Sequence, residues 1–161
     1  MIRRAPLLVL TAVATVIALA GCAPDDPDPA AIDAWHSETA VSAEDGGDVV
    51  AVLTGVIPRG VRLADGVQVS TDFDAPVRIS GAEFSCFGEG TMTLSISTIG
   101  GEGDSTSTAF ASDPFACADS PHTLPADDIL VDGRSISSLE AAGGENDRAG
   151  AWVLAVHGTE E

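Results

Sequence analysis

Three histidines and three cysteines are the side chains of this 161-residue chain best suited to acid–base, nucleophilic or metal chemistry near neutral pH, and all six are widely spaced. No His-Glu-x-x-His, Gly-x-Ser-x-Gly or paired Cys-x-x-Cys pattern occurs, so no metalloprotease helix, nucleophile elbow or zinc knuckle is written locally. His36 falls in an acidic, proline-rich stretch, and His157 closes an apolar run. His122 sits in a proline-flanked turn five residues after Cys117, where a hydrogen-bonded turn histidine is the primary reading. The catalytic alternative is a small hydrolase coupling His122 or His157 to a nearby aspartate, with no motif nominating its nucleophile. Lysine is absent: the seven basic residues are Arg3, Arg4, Arg59, Arg62, Arg78, Arg134 and Arg148. That removes Schiff-base chemistry, Ser–Lys nucleophile pairs and the phosphate-binding lysine of P-loops.

The carboxylates are the other resource. Asp and Glu number 25 against those seven arginines, a net charge of −18 that repels nucleic acid backbones and removes nucleic acid as a partner. Asp72 with Asp74, and Asp127 and Asp128 with Asp132, place hard oxygens close together in sequence, as Glu102 and Asp104 also do. Ca²⁺ is therefore a candidate ligand, though no cofactor is required. The competing reading is that these acids are solvated and keep the domain soluble. Gly100-Gly101-Glu102-Gly103-Asp104 resembles the glycine–acid repeat of calcium β-rolls, but a single copy cannot build one. Calcium-dependent carbohydrate binding is a further alternative. Without tyrosine, and with Asn146 and Gln68 as the lone side-chain amides, a sugar platform would depend on Trp35 and Trp152. Trp152 reads as core. Trp35 reads first as packing on the domain edge and second as a partner-docking residue; His122 is a separate candidate binding residue.

These residues need elements to hold them, and the first 22 positions specify a location. Arg3 and Arg4 precede an apolar stretch from Ala5 to Ala20, about 16 residues and shorter than the ~20 of a spanning helix. The stretch ends Leu19-Ala20-Gly21-Cys22, which resembles the lipobox of bacterial lipoproteins. That resemblance implies removal of residues 1–21 as a signal peptide and a diacylglycerol on Cys22. It places the chain on the outer face of the cell membrane. Removing Arg3 and Arg4 and no acid leaves five arginines against 25 acids, a net −20, so the lipid alone is expected to hold the domain at the bilayer.

Residues 22–47 read as an acidic, proline-rich, disordered tether reaching roughly 25–30 Å as a coil. Ala30 to Ala43 is the one stretch in it with helical potential, around Ile32 and Trp35. From 48 to 158 the hydrophobic period becomes two. Val67, Val69, Thr71 and Phe73 alternate with polar residues, as do Met92, Leu94 and Ile96. Val49–Val56 and Ala151–His157 are apolar on both faces and read as central strands. Shorter runs pair Val77 with Ile79, Phe84 with Cys86, Phe115 with Cys117, and Ile129 with Val131. Gly88-Glu89-Gly90 reads as a hairpin turn or bulge. The expected fold is all-β, an antiparallel β-sandwich of Ig-like or jelly-roll-like type over 48–158, following a signal helix and tether, with 159–161 a tail.

With Cys22 lipidated, Cys86 and Cys117 remain in an exported domain, and one disulfide is the economical reading. Both share a strand face with a phenylalanine, Phe84 and Phe115, so the bridge should point inward. Cys86-Phe87-Gly88-Glu89-Gly90-Thr91, a Ser/Thr-rich strand, and Cys117 followed by Ser120-Pro121-His122-Thr123 resemble a pattern of small exported proteins of high-GC actinobacteria. That resemblance extends to Gly55-Val56-Ile57-Pro58 and Gly150-Ala151-Trp152. It supports the fold and the cysteine pair and implies no catalytic residue. The expected function is a non-catalytic, membrane-anchored module whose partner is an envelope protein or wall component.

Overall fold

The computed structural model describes residues 26–100, 107–129 and 135–161, with the side chains of 107–109 left aside. The chain begins with a helix, α1 (Pro29–Glu44), and continues through β1 (Val49–Ile57), β2 (Gln68–Cys86), β3 (Thr91–Gly100), β4 (Ser107–Ala111), β5 (Phe115–Ala116), β6 (His122–Pro125), the short α2 (Ala126–Ile129), β7 (Ile136–Gly144) and β8 (Gly150–Glu160). Among the described residues these eight strands form one antiparallel sheet in the order β1-β8-β2-β7-β3-β4, with β6 added to β2 and β5 to β3. The protein is thus mostly β and antiparallel, as its period-two patterning requires.

β2 organises the sheet. Its 19 residues pair with β7 through Gln68–Val77 on one edge, then with β8 through Val77–Cys86 on the other. Register shifts fall between Asp72 and Val77, where Pro76 could not donate to a ladder, and between Ile79 and Gly81. The sequence pattern suggested separate short strands here; the bulges let one strand bend instead. The two halves of the sheet then close on a common core, which draws Leu53 and Ile57 from β1, Phe84 from β2, Met92, Leu94 and Ile96 from β3, Leu139 from β7, and Trp152, Leu154 and Val156 from β8. Trp152 shows the layering directly. It pairs in register with Gly55 of β1 and Cys86 of β2, yet its ring also lies against Gly143 in the other half.

Cys86 and Cys117 are disulfide-bonded beneath the rings of Phe84 and Phe115, whose centroids are 5.2 Å apart. Both cysteines are buried, Cys86 on the Phe84 face of β2 as its strand alternation implied, whereas Cys117 lies beyond the two-residue β5, at the start of a 3-10 turn rather than in a strand.

Three expectations change. β8 is central and buried on both faces, as read, but β1 is an edge strand pairing with β8 alone. Its second apolar face exists because α1 packs on β1 and β8. Second, Gly88-Glu89-Gly90 does turn sharply, with Gly88 and Gly90 at φ 80° and 156°, but β2 and β3 do not pair; the turn carries the chain from one half of the sheet to the other. Third, Ile129 closes the α2 turn rather than lying in a strand, and Val131 falls outside the described residues.

Most of the segment read as a disordered tether is structured. Asp28 caps α1, its side chain accepting a hydrogen bond from the Ala30 N–H at 3.0 Å, and Pro29 occupies the first turn where no N–H is needed. Ile32 is buried, and Trp35, His36, Thr39 and Ala43 continue that stripe half-buried at helical spacing. Asp26 closes the junction: its Oδ1 is 2.9 Å from Arg59 Nε and accepts the Ala149 N–H at 3.1 Å. No helix among the described residues is long and apolar enough to cross a membrane.

Candidate functional site

The outward faces of β8 and β2 do not meet α1 along its whole length, and the space between them is a groove of about 510 Å³. Strand alternation supplies its floor: with Trp152, Leu154 and Val156 pointing into the core, Val153 and Ala155 face α1. The same alternation on β2 sends Phe84 and Cys86 inward and Glu83 and Ser85 into the groove. From α1 come Trp35, Glu38 and Ser42. The result is a small apolar floor between two carboxylates, Glu38 and Glu83, with hydroxyls around them and an indole at one end. Such a lining attracts positive charge through its two carboxylates and offers both donors and acceptors through its hydroxyls and indole. Trp35 is set edge-on to Phe87, ring centroids 5.6 Å apart, which holds the indole at the domain edge as its primary reading anticipated. Ser120, also in the wall, is engaged with the disulfide strand: its Oγ accepts the Cys86 N–H at 3.0 Å and donates to the Cys86 carbonyl at 3.3 Å.

His122 is not part of this site. Its register partner is Phe84, so its side chain lies on the inward side of β2, where it stacks on Phe115 at 4.7 Å. Its Nε2 is 2.8 Å from the Ala116 carbonyl, so the histidine is hydrogen-bonded as anticipated, but it opens strand β6 rather than lying in a turn. Of the two candidate binding residues read from sequence, the groove therefore takes in Trp35 and not His122. His157 does meet a carboxylate, Asp48, with Nδ1 and Oδ1 3.0 Å apart, but among the described residues no hydroxyl or thiol hydrogen-bonds to its ring. His36 is half-buried with its Nε2 enclosed and unpartnered.

The acids proposed for calcium lie apart. Asp72 and Asp74 are exposed on the first half of β2, Asp74 within its first register shift, whereas Asp127 and Asp128 open α2, beside Gly81 through the β2–β6 pairing. Six residues of strand and a second register shift lie between Asp74 and Gly81. Among the described residues no three His, Cys, Asp or Glu side chains converge as a metal group. Asp132, Glu102 and Asp104 lie outside the described residues, as does Cys22.

Sequence reasoning passed over Glu38, Ser42, Glu83 and Ser85, since each is an ordinary surface residue until α1 is laid across the sheet. The available signal was the Ile32, Trp35, Thr39, Ala43 spacing, which marks a helix with a face to bury. It also missed Asn146, 3% exposed. Its Nδ2 donates to the carbonyls of Pro58 and Arg148, and its Oδ1 accepts the Val61 N–H at 3.1 Å, stitching the β1–β2 and β7–β8 connections together.

No family model matches the chain, and no curated protein matches it. Among solved structures it is similar to the VP2 subviral particle of infectious bursal disease virus, at 17% identity and TM-score 0.26, and to T=1 particles derived from infectious bursal virus, at 16% and 0.23. Each match covers 66% of this chain and 32% of the other, so this chain spans about a third of the length of those proteins. Scores this low establish no shared strand order and carry no functional meaning.

Proposed function

We propose that this protein is a lipid-anchored, extracytoplasmic binding module without catalytic activity, and that the groove between α1 and the β2–β8 face is where it engages an envelope protein or wall component. The observation that carries the reading is the groove lining: two carboxylates, hydroxyls and, at one end, an aromatic ring around an apolar floor, with no histidine among them. That chemistry suits a ligand presenting cationic or amide donors next to an apolar group, such as a basic side chain on a protein or an amine on a wall peptide. The lipobox-like Leu19-Ala20-Gly21-Cys22 supports the location, and the internal disulfide fits an oxidising compartment. Calcium forms no part of this reading, and neither does sugar binding through Trp152, which is fully buried. Two arms test it. Photo-crosslinking residues placed at Ser42 and Ser85 in living cells are expected to capture the same partner, and Trp35→Ala together with Glu38→Gln to abolish capture. Failure of both positions to yield a reproducible partner refutes the binding role. Cys22→Ala is expected to release the protein from membranes; retention and continued incorporation of a palmitate analogue refute the anchor.

A further inference from the structure

We infer that the folded domain stands directly on the bilayer in a fixed orientation, with the end of the sandwich that carries Arg59, Arg62 and Arg148 facing the lipid headgroups. This rests on the reading of Cys22 as the lipidated residue.

The argument starts from where the folded body begins. Asp26 is held by Arg59 at the start of the β1–β2 connection and by the Ala149 N–H of the β7–β8 connection, and two residues later Asp28 caps α1. Only residues 23–25 lie between Cys22 and that point. Four Cα steps span at most about 14 Å even fully extended. The lipid-bearing residue therefore cannot move farther than this from the Asp26 corner, in contrast to the roughly 25–30 Å of a 25-residue coil.

The corner belongs to one end of the sandwich. The β1–β2 and β7–β8 connections are bonded there, Gly60 N–H to the Asn146 carbonyl at 2.9 Å, and the β2–β3 turn joins them, the Thr91 N–H donating to Asp147 at 2.9 Å. From this end β8 runs 11 residues outward, about 36 Å, to Thr159 and Glu160. α1 also starts here and runs about 24 Å outward, so the groove extends away from this end along the helix.

Charge does not set this polarity. Arg59, Arg62 and Arg148 lie on the connections at the Asp26 end, but Asp26, Asp28, Asp65, Glu89, Glu145 and Asp147 accompany them, so this end is net acidic. The opposite end carries Glu44, Asp45, Asp48, Glu160 and Glu161 with Arg78 and is anionic too. Headgroup repulsion, screened beyond a Debye length of about 8 Å at physiological ionic strength, therefore acts on both ends, and the short reach of the lipid-bearing residue selects the orientation.

The test uses the full chain, lipidated in a bacterial host and reconstituted into phosphatidylglycerol-containing vesicles. A fluorophore is placed on Ala64→Cys at the Asp26 end or on Thr159→Cys at the far end, and a nitroxide on the lipid headgroup serves as short-range quencher. Quenching is expected to be several-fold stronger at position 64 than at 159. Inserting about twelve Gly/Ser residues between Ala23 and Pro24, which adds roughly 20 Å of reach, is expected to remove most of that difference. Equal quenching at both positions in vesicle-bound protein of native length overturns the orientation while leaving the anchor intact. A protein that does not float with vesicles and whose Cys22 reacts with maleimide overturns the anchor, and the orientation with it.

Discussion

Gly55→Ala examines the close packing around Trp152. An ideal Cβ at Gly55 lies 2.6 Å from Trp152 Nε1, 2.8 Å from Cε2 and 3.0 Å from Cζ2, whereas non-bonded heavy atoms rest at about 3.5–4.0 Å. The added methyl must therefore displace the indole by roughly 1 Å. The ring has nowhere to go: Trp152 is fully buried, and an ideal Cβ at Gly143 on its other flank would sit 2.6 Å from Cδ1. Overpacking of a close-fitted core costs about 1–3 kcal/mol, and a rigid, clamped ring belongs at the upper end. Replacing a strand glycine returns about 0.5–1 kcal/mol of backbone entropy. The net expectation is a loss of about 2 kcal/mol, which moves a urea midpoint down by about 1 M for a slope near 2 kcal/mol/M. Gly47→Ala is the control, since its Cβ would meet nothing within 4 Å, and its midpoint is expected to stay within about 0.5 kcal/mol of the parent. In the double variant Gly55→Ala, Trp152→Phe, the smaller ring should accommodate the methyl, with a coupling energy of about 1 kcal/mol or more. A Gly55→Ala protein as stable as the parent, with an unchanged near-UV spectrum, refutes the account of how the two halves of the sheet meet.

Replacing Cys86 and Cys117 by alanine opens a loop of 31 residues and is expected to cost about 3–4 kcal/mol by the loop-entropy relation, read as a lower midpoint in denaturant without loss of strand signal in far-UV circular dichroism. Asn146→Ala leaves the Val61 N–H and the Pro58 and Arg148 carbonyls without their side-chain partner and is expected to cost about 1–3 kcal/mol, with faster amide exchange at Val61; unchanged exchange there would contradict the stitching role. Hydrogen bonds from Ser135 and Arg78 hold the Glu161 carboxyl below the usual glutamate range. Since the folded form is the stronger acid, the stabilisation is present above the unfolded pKa and is lost as pH falls through the folded one. Arg78→Gln should move the Glu161 titration, followed by carboxyl ¹³C shifts, back up toward the ordinary range; no movement would remove Arg78 as a cause.

Much of the architecture is written in local pattern. Alternation at 67–73 and 91–97, the doubly apolar run of 151–157, and an inward Cys86 beside Phe84 are each properties of a few consecutive residues, and a strand's period of two converts them directly into faces. Pairing is a different kind of information. Val49–Val56 has the composition of a central strand, yet it stands at an edge, because α1 supplies the cover a second neighbour would have given. The helical potential of Ala30 to Ala43 was legible and α1 forms there, but acidity and proline content placed it in a disordered tether, since its stripe of Ile32, Trp35, Thr39 and Ala43 is thin and is buried only by packing on β1 and on β8, more than a hundred residues away. The groove, the separation of Trp35 from His122, the scatter of Asp72, Asp74, Asp127 and Asp128, and the anchoring of Asp26 by Arg59 all depend on contacts between distant segments. Sequence determined which side of each strand is apolar, because that is local stereochemistry; tertiary structure alone decided which strands and which helix those sides would meet, because that depends on burying all of them in one core at once.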